Sequence, residues 1–397
     1  MVVSSRLRLF CLMVIVSSIS ACSAVKQQES NYSIEQANTE ISAVDLKALQ
    51  SLSVISSKLA EHRTVFVGES HTNYADHLNQ LSIIKQLHKH WGNQTSIGLE
   101  MIQQPYQAFL DKYIASEINE SQMLKGTEWY DRWKFEFRLY RPIFDYAKQN
   151  KIPLVALNIP KELTKRISKV GISGLSKEER KQLPRMIDRT NKAYEKRITE
   201  VFSGHSHTNS KNTKKFIDAQ LGWDEGMAFS AAKYLIKNPN KHMVIIAGSG
   251  HVINYEGIPD RLDRQIKSKS AVVLNNFGGD RNEKSGDYIL LSEKRKLPPI
   301  GRFGIGMKAA KVKGSGVIVS IVDKKSAAKK AGVQVGDLII QLNDQAIADM
   351  VDFKIFAEAT KPGSKINIKV KRQQKILILP AVLKRKIPSF AFLRSQK

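Results

Sequence analysis

Glu69 and His71 stand one residue apart in the stretch Gly68-Glu69-Ser70-His71, directly after the apolar run Thr64–Val67. Packing does not account for an acid and an imidazole at the end of a predicted strand. The arrangement recurs along the chain. Ile97-Gly98-Leu99-Glu100 ends an apolar run with a carboxylate, and Val155-Ala156-Leu157-Asn158 ends one with an amide. Val244-Ile245-Ile246-Ala247 runs into Gly248-Ser249-Gly250-His251. Polar groups at the carboxyl ends of buried parallel strands point into the crevice where open α/β sheets bind ligands. Glu69, His71, Glu100 and His251 are therefore expected to converge on one rim. Taken alone, Glu100 also reads as a cap on a following helix. No strand-turn-helix Gly-x-Ser-x-Gly is present, which argues against a serine nucleophile of that type.

The elements that must position these residues read as an α/β domain over residues 46–293. Strands are predicted at Thr64–Val67, Thr95–Leu99, Pro153–Leu157, Met243–Ala247 and Ala271–Leu274. Helices are predicted at Asp76–Trp91, Gln107–Leu124 and Phe135–Gln149. Alternating strands and helices predict a parallel sheet with right-handed crossovers. The charged stretch 161–241 is too long for a plain loop. It reads as a helical insertion over the strand ends, with a peripheral decoration as the alternative. Within it, Asp224 and Glu225 read as the acidic start of a helix. Trp129, Tyr130 and Trp133 read as core, and His88 and His90 as an exposed helix face. After a basic, proline-containing linker at Lys294–Pro299, a β-rich second domain is predicted over 301–386, followed by a tail at 387–397.

At 397 residues the chain is too long for one compact core. Its formal charge of +26 favours anionic partners, with solubility alone as the alternative. The basic residues are scattered and no recognition helix accompanies them, so nucleic acid is not the expected partner. Arg6 and Arg8 precede the apolar run Leu9–Val16, and the segment ends Ile19-Ser20-Ala21-Cys22. That is the pattern of a secretory signal over 1–21, too short to span a membrane. Ile-Ser-Ala-Cys resembles a bacterial lipobox, in which Cys22 becomes acylated. Ser23 then resembles the Gram-negative sorting rule for the outer membrane, with the protein facing the periplasm. The polar stretch 22–45 reads as a tether. Cleavage would remove Cys11 and leave Cys22 alone, excluding an internal disulfide and a cysteine metal site.

The ordered set Gly68-Glu69-Ser70-His71, Gly98-Leu99-Glu100-Met101 and Gly248-Ser249-Gly250-His251 resembles the ChaN-like haem-binding lipoproteins. Their wider superfamily includes the Tiki proteases, TraB proteins and erythromycin esterases. Gln220–Ala228 and Gly257-Ile258-Pro259-Asp260-Arg261-Leu262 extend the resemblance, which covers roughly 58–291. It implies haem bound by a tyrosine, with haems stacked across a homodimer. Tyr255, shortly after His251, is the expected ligand and Tyr194 the second choice; His251, His71 and Glu69 are further expected haem contacts. His205 and His207 are further contacts or else a solvated loop. The resemblance also implies an alternative, metal-assisted hydrolysis of a peptide or ester bond through Glu69, His71, Glu100 and His251. There a divalent metal would be held by His71, Glu100 and His251, with Glu69 as general base.

Gly304-Ile305-Gly306, Ser326–Gly332 and Val335-Gly336-Asp337-Leu338-Ile339 resemble a PDZ domain of the bacterial type. The resemblance implies that a partner's C-terminal peptide is added as a strand, with its carboxylate held by the loop Arg302, Phe303, Gly304, Ile305 and Gly306. The alternative is a structural PDZ domain that binds no peptide. The expected fold is thus a parallel α/β sheet flanked by helices with a helical insertion, plus a C-terminal β-rich PDZ domain.

Overall fold

The computed structural model describes residues 46–203, 210–275 and 282–385. The expected signal and tether, Cys22, His205, His207 and the tail lie outside the described residues.

The α/β domain is built on six parallel strands: β1 Thr64–Glu69, β2 Thr95–Gln103, β3 Leu154–Asn158, β4 His242–Gly248, β5 Ala271–Asn275 and β6 Tyr288–Leu290. Their order across the sheet is β3-β2-β4-β1-β5-β6, with every pairing parallel. Strands β1, β2, β3 and β5 are buried along their whole length, which is why they read as continuous apolar runs. Val65, Val67, Ile97, Leu99, Val244 and Ile246 fill the core on one face. Phe66, Leu157, Met243 and Ile245 fill the core on the other. Two apolar faces cannot set register by pattern alone. The polar ends do: Arg63 donates to the Leu235 and Pro239 carbonyls at 2.9 and 3.1 Å, and Thr64 meets Ser270 at 2.6 Å.

The first face is covered by α1 (Leu52–Ala60), α2 (Tyr74–Trp91), α3 (Gln107–Ile114), α4 (Glu120–Gly126), α5 (Trp129–Arg132) and α6 (Arg141–Gln149). The single helix expected over Gln107–Leu124 is two. Ser116 turns the chain at φ +63°, and Asn119 with Gln122 forms a capping box that starts α4. The helix expected from Phe135 begins only at Arg141, after a short 3-10 turn. The insertion contains α7 (Lys161–Val170), α8 (Lys177–Arg180), α9 (Lys192–Ser203) and α10 (Ser210–Lys237), and α11 (Ile258–Ile266) follows β4. Among the described residues no helix is long and apolar enough to cross a membrane.

The C-terminal domain is an antiparallel sheet of β7 Ile305–Ala309, β8 Val317–Val322, β9 Leu338–Leu342, β10 Gln345–Ala346, β11 Lys365–Arg372 and β12 Lys375–Val382. The order is β12-β11-β9-β8-β7, with β10 on β9. Its helices are α12 (Ala327–Lys330), capped by Ser326, and α13 (Met350–Ala359), capped by Asp349. Helix α13 is held between the two domains. Phe353 packs in the core of the C-terminal domain, while Ile355 and Val351 pack in the α/β core.

Candidate functional site

Strands β2, β4 and β1 are neighbours, so their carboxyl ends bring Glu100, the loop after Gly248 and Glu69 together. The β2–β3 register is irregular between Leu99 and Gln103, and Glu100 lies in that stretch. Such irregularities re-aim side chains. Among the described residues the Glu100 carboxylate caps no helix that follows it on its own strand. Its Oε2 accepts the Gly248 N–H at 2.6 Å, and its Oε1 lies 3.4 Å from Nε2 of His251. On the other flank, Glu69 Oε1 lies 2.5 Å from Nδ1 of His71. Ligand atoms of Glu69, His71 and Glu100 all lie within 4.8 Å of one another. The expected four residues therefore meet at one rim. The compact donor group contains Glu69, the expected base, and His251, an expected ligand, lies one contact further out.

The electrostatics are strongly coupled. Burial alone would lower the pKa of His71; the Glu69 hydrogen bond and the charges of Glu100 and Glu69 outweigh it and raise it. Burial opposes the charge on His251 too, but Asp224 and Glu100 push its pKa up to about 9. The second carboxylate oxygen of Glu69 is buried and has no hydrogen-bond partner. It faces Nε2 of His77 at 3.9 Å, but that nitrogen is engaged with the His71 carbonyl at 3.2 Å. A buried carboxylate oxygen left unpaired is costly, and a cation among these donors would satisfy it.

Sequence reasoning missed Asp224. It does not open a helix; it lies inside α10 and is 1% exposed. Its Oδ1 lies 2.5 Å from His251 Nδ1, and its Oδ2 accepts the Tyr194 hydroxyl at 2.7 Å. Glu225 is likewise internal, 3.2 Å from Nε of the buried Arg261. Helices α9 and α10 thus reach into the site and are no peripheral decoration. Arg197 on α9 ties down the rim loop through Glu256 at 2.7 Å and the Gly250 carbonyl at 3.1 Å. Trp133 and Phe135 were also missed; their rings stand 4.7 and 4.9 Å from the His71 ring. His88 is not simply exposed, since its Nδ1 meets the Tyr146 hydroxyl at 2.9 Å.

The two tyrosines differ. Tyr194 is 1% exposed with its hydroxyl committed to Asp224, so it is withdrawn as a haem ligand; it buttresses Asp224 instead. Tyr255 is half-buried on the rim loop, and its hydroxyl donates to Asp287 at 2.5 Å. Asn254 and Tyr255 both have positive φ, +58° and +60°. That conformation is strained for a bulky side chain and persists only where the surroundings impose it. Gly257 closes the same loop, where a Cβ would lie 2.0 Å from the His251 carbonyl oxygen. Backbone cannot swing aside as a side chain can. Gly257→Ala is expected to cost at least about 1–3 kcal/mol, read as a lower urea midpoint; an unaltered midpoint would refute this account of the loop.

The family described as haem-binding uptake, Tiki superfamily, ChaN matches residues 55–262, just over half of the 397 residues. The chain belongs to the ChaN family. A PDZ domain matches residues 301–380. The solved structure titled "Cofacial heme binding to ChaN of Campylobacter jejuni" aligns with a TM-score of 0.50 at 20% identity, covering 60% of this chain and 91% of that one; this shows a shared fold. The serine endoprotease DegS of Haemophilus influenzae is 34% identical over 83 residues, 21% of this chain and 24% of that protein. Protein RETICULATA-RELATED 5 of Arabidopsis thaliana is 22% identical over 244 residues, 55% of this chain and 31% of that protein. The chain thus spans under a third of the length of these two curated relatives.

In the PDZ domain, Phe303, Gly304, Ile305 and Gly306 line a groove of about 790 Å³ with α13. Gly304 takes φ +73° at the turn into β7, a conformation open to glycine at no steric cost. Phe303 packs on Phe353 with ring centres 4.8 Å apart.

Proposed function

We propose that this chain binds haem at the carboxyl rim of its ChaN sheet and recruits a partner protein through its PDZ groove. It would do so in the periplasm, anchored to the outer membrane through acylated Cys22, in haem or iron uptake. The observation that carries the haem reading is Tyr255: a phenol held on a strained backbone, on the loop that bears His251, with a carboxylate at its proton. Haem would supply a ferric iron there, and phenolate is a ligand suited to that charge. Burial, the Asp287 hydrogen bond and the Asp287 charge all raise the Tyr255 pKa, so the free protein keeps the phenol protonated. Binding must then release a proton, and Asp287 stands where it leaves. Hemin titration should give a strong visible band, tighter as pH rises. Tyr255→Phe should weaken binding by about tenfold or more, as loss of a metal ligand or its support commonly does. An unchanged spectrum and affinity in that variant would rule the ligand out. The overall charge of +26 suits the haem propionates.

The buried, unpartnered Glu69 oxygen beside His71 and Glu100 favours a second reading, a metal-dependent hydrolase. A divalent ion would supply Lewis-acid chemistry there. His71, Glu100 and Glu69 would hold it, and His251 would move a proton. Metal analysis run beside the hemin titration separates the two: stoichiometric metal without a haem spectrum favours hydrolysis.

A further inference from the structure

The strip from Trp133 to Glu136 has two faces. Trp133 and Phe135 stand against His71. Lys134 and Glu136 line the PDZ groove, joined there by Tyr130 of α5. The groove is therefore not built by the PDZ domain alone. The geometry between the domains is held by specific contacts. The Tyr130 hydroxyl donates to Glu358 on α13 at 2.8 Å, and Lys125 meets Asp352 at 2.5 Å. Ile355 of α13 is 9% exposed within the α/β core.

The groove is open along β7, which among the described residues pairs only with β8 and leaves its other edge free for an added strand. Its floor is apolar, with Phe303, Met307 and Phe353. Its rim charges are unbalanced. Lys134, Arg302, Lys354 and Arg385 line it, and none of them makes an ion pair among the described residues; the Lys354 ammonium lies over the Tyr130 ring, 5.0 Å from its centre, which leaves Lys134 as the ammonium on the α/β wall. Of the lining acids, Glu136 is paired with Arg138 and Glu358 is bonded to Tyr130. Burial pushes Glu358 up to about 7, which removes further negative charge near neutral pH. Asp323 is the remaining acid.

We propose that the α/β domain supplies one wall of the PDZ groove, and that Lys134 on that wall selects a partner's C-terminal peptide that ends in an apolar residue and carries a carboxylate side chain upstream. The apolar floor takes the last side chain, and an added strand sends alternate side chains to the same side. The upstream acid then meets an exposed ammonium that has no ion-pair partner among the described residues. This rests on the peptide-binding reading of the PDZ domain, and the experiment keeps the two apart.

A random heptapeptide library displayed with free C-termini is selected on the full chain and on its K134E and R302E variants. All three should enrich an apolar last residue. The full chain should also enrich aspartate or glutamate upstream, and K134E should lose that preference or exchange it for a basic one. A synthetic peptide from the wild-type selection should bind K134E about tenfold more weakly by fluorescence polarisation, since like charges across an interface repel. If K134E keeps the acidic preference, or only R302E loses it, the α/β wall does not read the peptide and this inference falls alone. If the full chain enriches no C-terminal sequence, the peptide-binding reading falls too.

Discussion

Asp224→Ala is expected to lower folding stability by about 3–5 kcal/mol, the usual cost of removing one partner from a buried ion pair. The loss strikes two groups at once. His251 Nδ1 loses its partner at 2.5 Å, and the buried Tyr194 hydroxyl loses its acceptor at 2.7 Å. The pH dependence gives the sharper signature. The His251 pKa is raised in the folded chain from its ordinary 6.5 to about 9. A raised histidine pKa contributes stability that is fully present below about 6.5 and is lost as pH rises toward 9. At about 1.4 kcal/mol per unit, that contribution is about 3 kcal/mol. Urea midpoints of chelator-treated protein should therefore fall across this window in the wild type, and much less in Asp224→Ala. Asp224→Asn keeps the shape and an acceptor for Tyr194, so it should flatten the pH profile with a smaller loss at low pH. Parallel profiles for wild type and both variants would show that Asp224 does not hold the charge on His251.

Trp129→Ala is expected to cost about 3–5 kcal/mol and to lower the melting temperature by roughly 10 °C. Trp129 is 1% exposed, and its ring meets those of Phe137, Tyr140 and Phe144 at 5.1, 5.3 and 5.9 Å. Little around it can collapse into the space. Its indole N–H also donates to the Phe135 carbonyl at 2.8 Å, which anchors the strip that walls both His71 and the PDZ groove. Trp129→Phe separates the two roles. It keeps an aromatic ring but leaves a carbonyl unpaired, at a cost of about 1–3 kcal/mol. Circular-dichroism melts should rank the wild type above Trp129→Phe and that above Trp129→Ala. Equal melting temperatures for Trp129→Ala and the wild type would refute the packing account.

Strands β1 to β5 were legible because strands buried on both faces leave uninterrupted apolar runs. Strand β6, Tyr288–Leu290, was not, because three half-buried residues at a sheet edge carry no periodic signal. The break between α3 and α4 has a local signal: Asn119 and Gln122 have capping-box spacing, and they form the box. Tyr194 went the other way. Its residue type made it a ligand candidate, and burial removed it.

The chain's local chemistry told which strand ends bear acids and imidazoles, because Glu69, His71, Glu100 and His251 each lie beside the run that carries them. Contacts made across the fold were beyond its reach. Asp224 lies 27 residues before the histidine it charges, on a helix whose local pattern says only that it is helical. Trp133 and Lys134 are neighbours in the chain, yet one stands against His71 and the other lines the PDZ groove. Partners of that kind are chosen by packing and by the need to compensate buried charge, and both exist only once distant segments are in contact.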